Sequence, residues 1–242
     1  MSINTVIILA GGLGTRLRAS VKDVPKPMAP INNVPFLRIL LDFWIDSGIS
    51  NIIISIGYMG EVISSYFGPT YRNISITYVS ENKPLGTGGA IKNIIDRLNL
   101  SKDVYIVNGD TFFEIDIHKL SRSHIKNKSK LSIALFKYSG SDFQRYKRIF
   151  IDNNDKILEY NEDSSFYANG GIYILNPGIF KSYQNETSFF SFEENFIPYI
   201  HSLKLLIYGV VFDNYFIDIG VPEDFEAAKR YFGALENYKK GD

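Results

Sequence analysis

Short apolar runs recur through the first half of the chain, at 6–10, 51–56, 75–79, 104–108 and 131–136. They are rich in Ile and Val and too short for ordinary helices, so each predicts a strand buried within a sheet. Between them the apolar spacing changes to three and four. Leu37, Leu40, Leu41 and Trp44 fall on one face of 36–47, and Ile91, Ile94, Ile95 and Leu98 on one face of 86–98. Both stretches predict amphipathic helices. Strands alternating with helices imply a mostly parallel sheet covered on both sides, a three-layer α/β sandwich.

After residue 139 the texture changes to short strands punctuated by Asn-Asn, Asp-Ser-Ser and Asn-Gly-Gly, all read as turn signals, and then to a late helix over 222–238. A smaller mixed lobe, continuous with the first sheet, is expected there. With 242 residues, 45% of them apolar, the chain is long enough for one sizeable core. Lys+Arg and Asp+Glu both number 26, so there is no global field to hold nucleic acid or an acidic membrane. A small, locally recognised ligand fits better. Cysteine is absent, which removes disulfides, thiolate metal sites and cysteine nucleophiles. The opening apolar run lacks a basic flank, and no stretch approaches the ~18 apolar residues that span a bilayer, so a cytoplasmic protein without membrane partners is expected.

The first predicted strand runs directly into Leu9-Ala10-Gly11-Gly12-Leu13-Gly14-Thr15-Arg16-Leu17. Open α/β sheets bind ligands outside the carboxyl ends of strands, and glycines there let backbone N–H groups approach phosphate oxygens. Two common phosphate loops do not fit. Gly14-Thr15-Arg16 stands where a Walker A loop ends in Gly-Lys-Ser/Thr, and Leu17 takes the place of the third glycine of a dinucleotide fingerprint. What distinguishes this loop is Arg16 followed by a second cation in Pro25-Lys26-Pro27, where the prolines fix the backbone around the lysine.

That joint pattern resembles the signature of the sugar-phosphate nucleotidyltransferases. The resemblance covers essentially the whole chain and implies a Rossmann-like sandwich with a small sugar-binding lobe. Residues 1–138 would form the nucleotide-binding core, and 139–242 the sugar-binding portion and closing helix. It implies that a nucleoside triphosphate and a sugar 1-phosphate are the partners and that Mg2+ is the cofactor. By the same resemblance Leu9, Gly11, Gly12, Gly14 and Thr15 wrap the triphosphate, Arg16 neutralises its β and γ phosphates, and Lys26 contacts the phosphates that are joined. Pro84-Leu85-Gly86-Thr87-Gly88-Gly89 resembles the base-binding segment, with Pro84, Gly86 and Thr87 at the nucleotide and Glu81 accepting from guanine N1 and N2. Asn108-Gly109-Asp110 and Phe216-Ile217-Asp218 resemble the motifs in which Asn108 and Gly109 meet the nucleotide while Asp110 and Asp218 hold the metal, with Asp110 also counted as catalytic. Asn169-Gly170-Gly171 and Phe192-Glu193-Glu194 resemble the sugar pocket, in which Asn169, Gly170, Gly171 and Glu193 meet the sugar. Within the family, the stretches 26–32, 84–91, 108–113 and 213–224 resemble those of heptose 1-phosphate guanylyltransferases. Mannose 1-phosphate with GTP, or glucose 1-phosphate with dTTP or UTP, are the alternatives, and a nucleotide-sugar sensor is the alternative of another class.

Two positions leave the family pattern. A Glu-Lys pair, whose lysine holds the sugar phosphate, is usual before Asn-Gly-Gly, and here it reads Glu162-Asp163. An Arg-Tyr-Gly segment reads Arg145-Tyr146-Lys147. Either Lys147 replaces the missing cation, with Glu162 and Lys147 both in the sugar site, or Lys147 is a surface lysine beside an altered site. His118, His124 and His201 show no metal-ligand spacing and read as ordinary polar residues. The many aromatic residues leave room for a homodimer interface.

Overall fold

A computed structural model describes residues 3–239, apart from 13, 15, 16, 18–20, 22, 139–145, 161–164 and 184–186, and describes the side chains of the last helix only as far as Leu235. In chain order the strands are β1 (Thr5–Leu9), β2 (Pro30–Ile31), β3 (Val34–Pro35), β4 (Asn51–Ile56), β5 (Thr70–Tyr71), β6 (Ile74–Ser80), β7 (Val104–Asn108), β8 (Thr111–Phe113), β9 (Leu131–Lys137), β10 (Ile149–Ile151), β11 (Ile157–Tyr160), β12 (Tyr167–Leu175), β13 (Ile207–Phe212) and β14 (Phe216–Asp218). The helices are α1 (Phe36–Asp46), α2 (Gly60–Phe67), α3 (Gly86–Leu98), α4 (Ile117–Lys126), α5 (Ile197–Ser202) and α6 (Pro222–Lys239). The five predicted strands and three predicted helices all form, with ends shifted by at most a residue or so.

Eight strands make one sheet in the order β13-β9-β12-β7-β1-β4-β6-β5. Strands β7, β1, β4 and β6 run parallel, β13 is parallel to β9, and β12 is antiparallel to both of its neighbours. Alternation along β1 explains the layers. Val6 and Ile8 join a core with α1, α2, α4 and α6, through Leu40, Trp44, Ile63, Leu120 and Phe225. Ile7 faces the opposite core, with Ile91 and Ile94 of α3 and Ile197 and Ile200 of α5. The sheet is therefore buried on both faces, which is why its strands read as continuous apolar runs.

Asn-Gly-Gly is not the predicted turn. It lies inside β12, where Asn169 pairs with Leu135 and Tyr173 with Ile133, so β12 spends two more residues than β9 across that interval. The result is a bulge, which re-aims side chains beside a site without ending the strand. The Asn-Asn signal does mark the turn between β10 and β11. His124 is a buried polar residue: it is 1% exposed, its Nδ1 is 2.8 Å from Ser132 Oγ, and it packs beside Asp103. Among the described residues no helix is long and apolar enough to cross a membrane.

Candidate active site

Strands β1, β4, β6 and β7 all end on the same edge, and the chain turns there at Gly11, Gly57, Glu81 and Gly109. Backbone bonds lock the turns together: Ala10 N–H donates to Ser55 O, Glu81 N–H to Ile56 O and Gly109 N–H to Leu9 O, at 2.9 to 3.0 Å. The connections from β1 lead to β4 on one side and eventually to β7 on the other, so a crevice opens between β1 and β7, where such sheets hold ligands. A cleft lies there, lined by Leu9, Gly12, Gly14, Lys26, Asp110 and Gly220. Gly11 sits behind it, so close to Glu81 that an added Cβ would lie 2.9 Å from the carboxylate.

Lys26 is placed by the short 3-10 turn Lys26–Met28, with Pro25 before it in extended conformation and Pro27 buried behind it. Its side chain is 9% exposed, and its ammonium is bonded to Asp110 and lies 3.6 Å from Asp218. The two aspartates, remote in sequence, meet because β14 pairs with β8 in antiparallel register, Asp218 opposite Thr111, while Ile219 N–H donates to Asp110 O at 2.9 Å. Ile217 points into the core, so Phe216 and Asp218 on either side of it face outward, as strand alternation requires. Gly220 completes the corner. Its N–H donates to Asp218 Oδ1 at 2.7 Å, and a Cβ on it would stand 3.1 Å from Lys26 Nζ.

A second cavity adjoins this corner, and its walls include Asn108, Lys147, Asn169, Gly171, Glu193 and Asp218. Asp110 thus belongs to the first cleft and Asp218 to the second, with the Lys26 ammonium between them. Gly171 has a φ of +69°, a value glycine adopts without strain, and this closes the bulge so that Asn169 Oδ1 accepts from Gly171 N–H at 2.9 Å. Asn169 Nδ2 then donates to the Tyr173 hydroxyl at 3.0 Å, and Tyr173 donates to Glu193 Oε1 at 3.2 Å. Burial, with the Glu193 charge adding to it, pushes the Tyr173 phenol well up and keeps it a donor. Tyr160, beside Asn169, is raised for the same two reasons. Lys147 is 31% exposed on the cavity wall and pairs with Glu194 at 3.1 Å.

Other predicted residues fall as follows. Glu81 accepts from Ser55 Oγ and from Leu85 N–H, both at 3.1 Å, and burial raises its carboxyl above the usual range. Pro84 is exposed at the turn into α3. Gly86 and Thr87 pack against residues 190–193, with the Thr87 hydroxyl on Glu193 at 2.7 Å. Asn108, expected at the nucleotide, stands on the wall of the second cavity, while Gly109 is pressed onto Leu9. Thr15, Arg16, Glu162 and Asp163 lie outside the described residues. Sequence reasoning passed over Gly220, Tyr173 and Ser191, which complete the site. Gly220 follows Asp218 closely in the chain and Tyr173 follows Asn169, but neither spacing alone announces a bonded pair.

The profile of the nucleotidyl transferase family matches residues 5–233. The chain is 43% identical over 222 residues to a D-glycero-alpha-D-manno-heptose 1-phosphate guanylyltransferase of Campylobacter jejuni, covering 90% of this chain and 96% of that one. It is 42% identical over 227 residues to the Aneurinibacillus thermoaerophilus protein of the same name, covering 93% and 96%. The crystal structure of HddC from Yersinia pseudotuberculosis superposes with a TM-score of 0.80 at 36% identity, covering 95% of this chain and all of that one, and the same protein has been crystallised with GMP-PN. The crevice between β1 and β7, the lysine held by two aspartates and the bulged second cavity are thus set in a chain that belongs to the nucleotidyl transferase family.

Proposed function

We propose that the protein is a guanylyltransferase that joins GTP to D-glycero-α-D-manno-heptose 1-phosphate, giving GDP-heptose and pyrophosphate. The observation that carries this reading is the meeting of Lys26, Asp110 and Asp218 on the boundary between two cavities, where the phosphates of two substrates have to meet. The named activity of the relatives at 42–43% identity supports the choice of base and sugar.

An oxygen of the sugar phosphate attacks the α-phosphorus in line. One P–O bond forms, the bond to the α,β-bridging oxygen breaks, and pyrophosphate leaves with the electron pair. Two anions approach each other in that step, so its barrier is lowered by fixed positive charge and by orientation, and no protein nucleophile is required. The Lys26 ammonium supplies charge at the boundary, and the backbone of Gly12 and Gly14 lines the triphosphate side. Arg16 takes the β and γ phosphates. Glu81, fixed by Ser55 and Leu85, accepts from guanine N1 and N2. Asn169 and Glu193 hold sugar hydroxyls, and Lys147 serves the sugar phosphate in place of the lysine that the family carries at the position of Asp163.

Asp110 and Asp218 offer oxygen donors only, and both reach the same ammonium, so one cation can touch both. That donor set suits Mg2+, which takes one or two carboxylates and completes its shell with phosphate oxygens and water. Bound there, the ion would neutralise phosphate oxygens as a Lewis acid. Pyrophosphate release from a matrix of GTP, ATP, UTP and dTTP against heptose, mannose and glucose 1-phosphates tests the reading. GTP with the heptose should give the highest kcat/KM. Preference for another pair would replace the base or the sugar, and no release from any pair by a chain that binds nucleotide would overturn the enzymatic reading.

A further inference from the structure

The turn that opens α3 is occupied by protein. Phe190 N–H donates to Leu85 O at 3.0 Å, and Phe190 O accepts from Gly88 N–H and Gly89 N–H at 3.0 and 3.3 Å. These are two of the N–H groups that a helix start otherwise leaves for a ligand. The glycines make the approach possible: Gly86 has a φ of +71° and a Cβ on it would lie 2.5 Å from Phe190 O, while a Cβ on Gly88 would enter the Phe190 ring and one on Gly89 would strike Ser188 O. The Gly-Thr-Gly-Gly sequence is therefore a cradle for residues 188–192, the segment that leads into Glu193.

Within this cradle the Thr87 hydroxyl has one proton and gives it to Glu193 Oε2 at 2.7 Å, while accepting from Phe192 N–H at 2.8 Å. Glu193 Oε2 also accepts from Ser191 Oγ, and Oε1 from Tyr173, both at 3.2 Å. Glu193 lines the second cavity, while the Thr87 hydroxyl stands behind it with its proton committed to that carboxylate. We propose that Thr87 is a positioning residue for the sugar subsite, acting through Glu193, and is not a nucleotide contact. This rests on the reading that the second cavity takes the sugar phosphate.

The test compares Thr87→Val, Thr87→Ser, Glu193→Gln and the Val/Gln double variant in the whole protein. KM for the sugar phosphate is measured at saturating GTP, and GTP binding is measured alone. Thr87→Val should raise the sugar-phosphate KM about tenfold and leave GTP affinity unchanged, because the hydroxyl proton that fixes the carboxylate is gone. Thr87→Ser should restore it, and in the double variant the valine should add almost nothing to the effect of Glu193→Gln. Weaker GTP binding by Thr87→Val, or additive effects in the double variant, would overturn the proposal. A Glu193→Gln that raises KM beside a silent Thr87→Val would sink the Thr87 role alone. A silent Glu193→Gln would remove the sugar assignment of Glu193 and the proposal with it.

Discussion

The cleft around Gly12 and Lys26 is made largely of backbone at the ends of parallel strands, whereas the cavity around Asn169 is made of side chains that hold one another. In the cleft, the locking bonds run between main-chain atoms of successive strand ends. In the cavity they pass from Gly171 through Asn169, Tyr173 and Glu193 to Thr87. A backbone cradle fails locally, at glycines such as Gly14, Gly57 and Gly109, where an added Cβ would lie 2.6–2.8 Å from neighbouring atoms. A relay of side chains has geometry only while every member is present, so substitutions there should spread from one residue to the next.

The largest effect is expected at the shared boundary. Lys26→Ala removes the ammonium between the two carboxylates and should cut kcat/KM by roughly 10²–10³ for either substrate varied, as loss of a fixed charge at a reacting phosphate does. An effect confined to one substrate would place Lys26 on one side and break the symmetry of the comparison. Next in size is Lys147→Ala, which should raise the sugar-phosphate KM by about tenfold, or ~1.4 kcal/mol, with GTP binding unchanged. An unchanged KM would leave Lys147 as no more than the partner of Glu194.

The smallest effect is the pH response of the backbone-built side. Burial raises the Glu81 carboxyl above 4.5, so it takes up a proton at higher pH in the folded chain than in the unfolded one. Protonation therefore favours folding as pH falls from the raised value to the ordinary one, a contribution absent at neutral pH. The same proton removes the acceptor charge offered to guanine, so GTP affinity should decline over that window in the native chain and not in Glu81→Gln. Equal pH profiles by calorimetry for the two proteins would detach Glu81 from the base.

The same contrast decides what was legible in the sequence. The strand runs and the helix faces of Leu40 and Ile94 are local patterns, and the structure follows them. The Asp110–Asp218 pair is set by the β8–β14 register, which no local spacing encodes. Asn-Gly-Gly carries turn chemistry, but β9 and β7 on either side keep β12 extended and turn the extra residues into a bulge. The glycines of α3 have a ligand-loop composition, yet they accommodate Phe190. Composition says that a close approach occurs and not what approaches.

The β8–β14 ladder also has a consequence for synthesis. A ribosome delivers Lys26 and Asp110 early, at roughly 5–20 residues per second, but Asp218 and the strand that carries it come only after the whole eight-stranded sheet has been made. A nascent chain that has already formed the crevice between β1 and β7 thus still lacks one of its two carboxylates. Pairing of β14 with β8 completes the Lys26 corner late, so under the proposed function the unfinished polypeptide should be inert toward sugar phosphates even where its first half is folded.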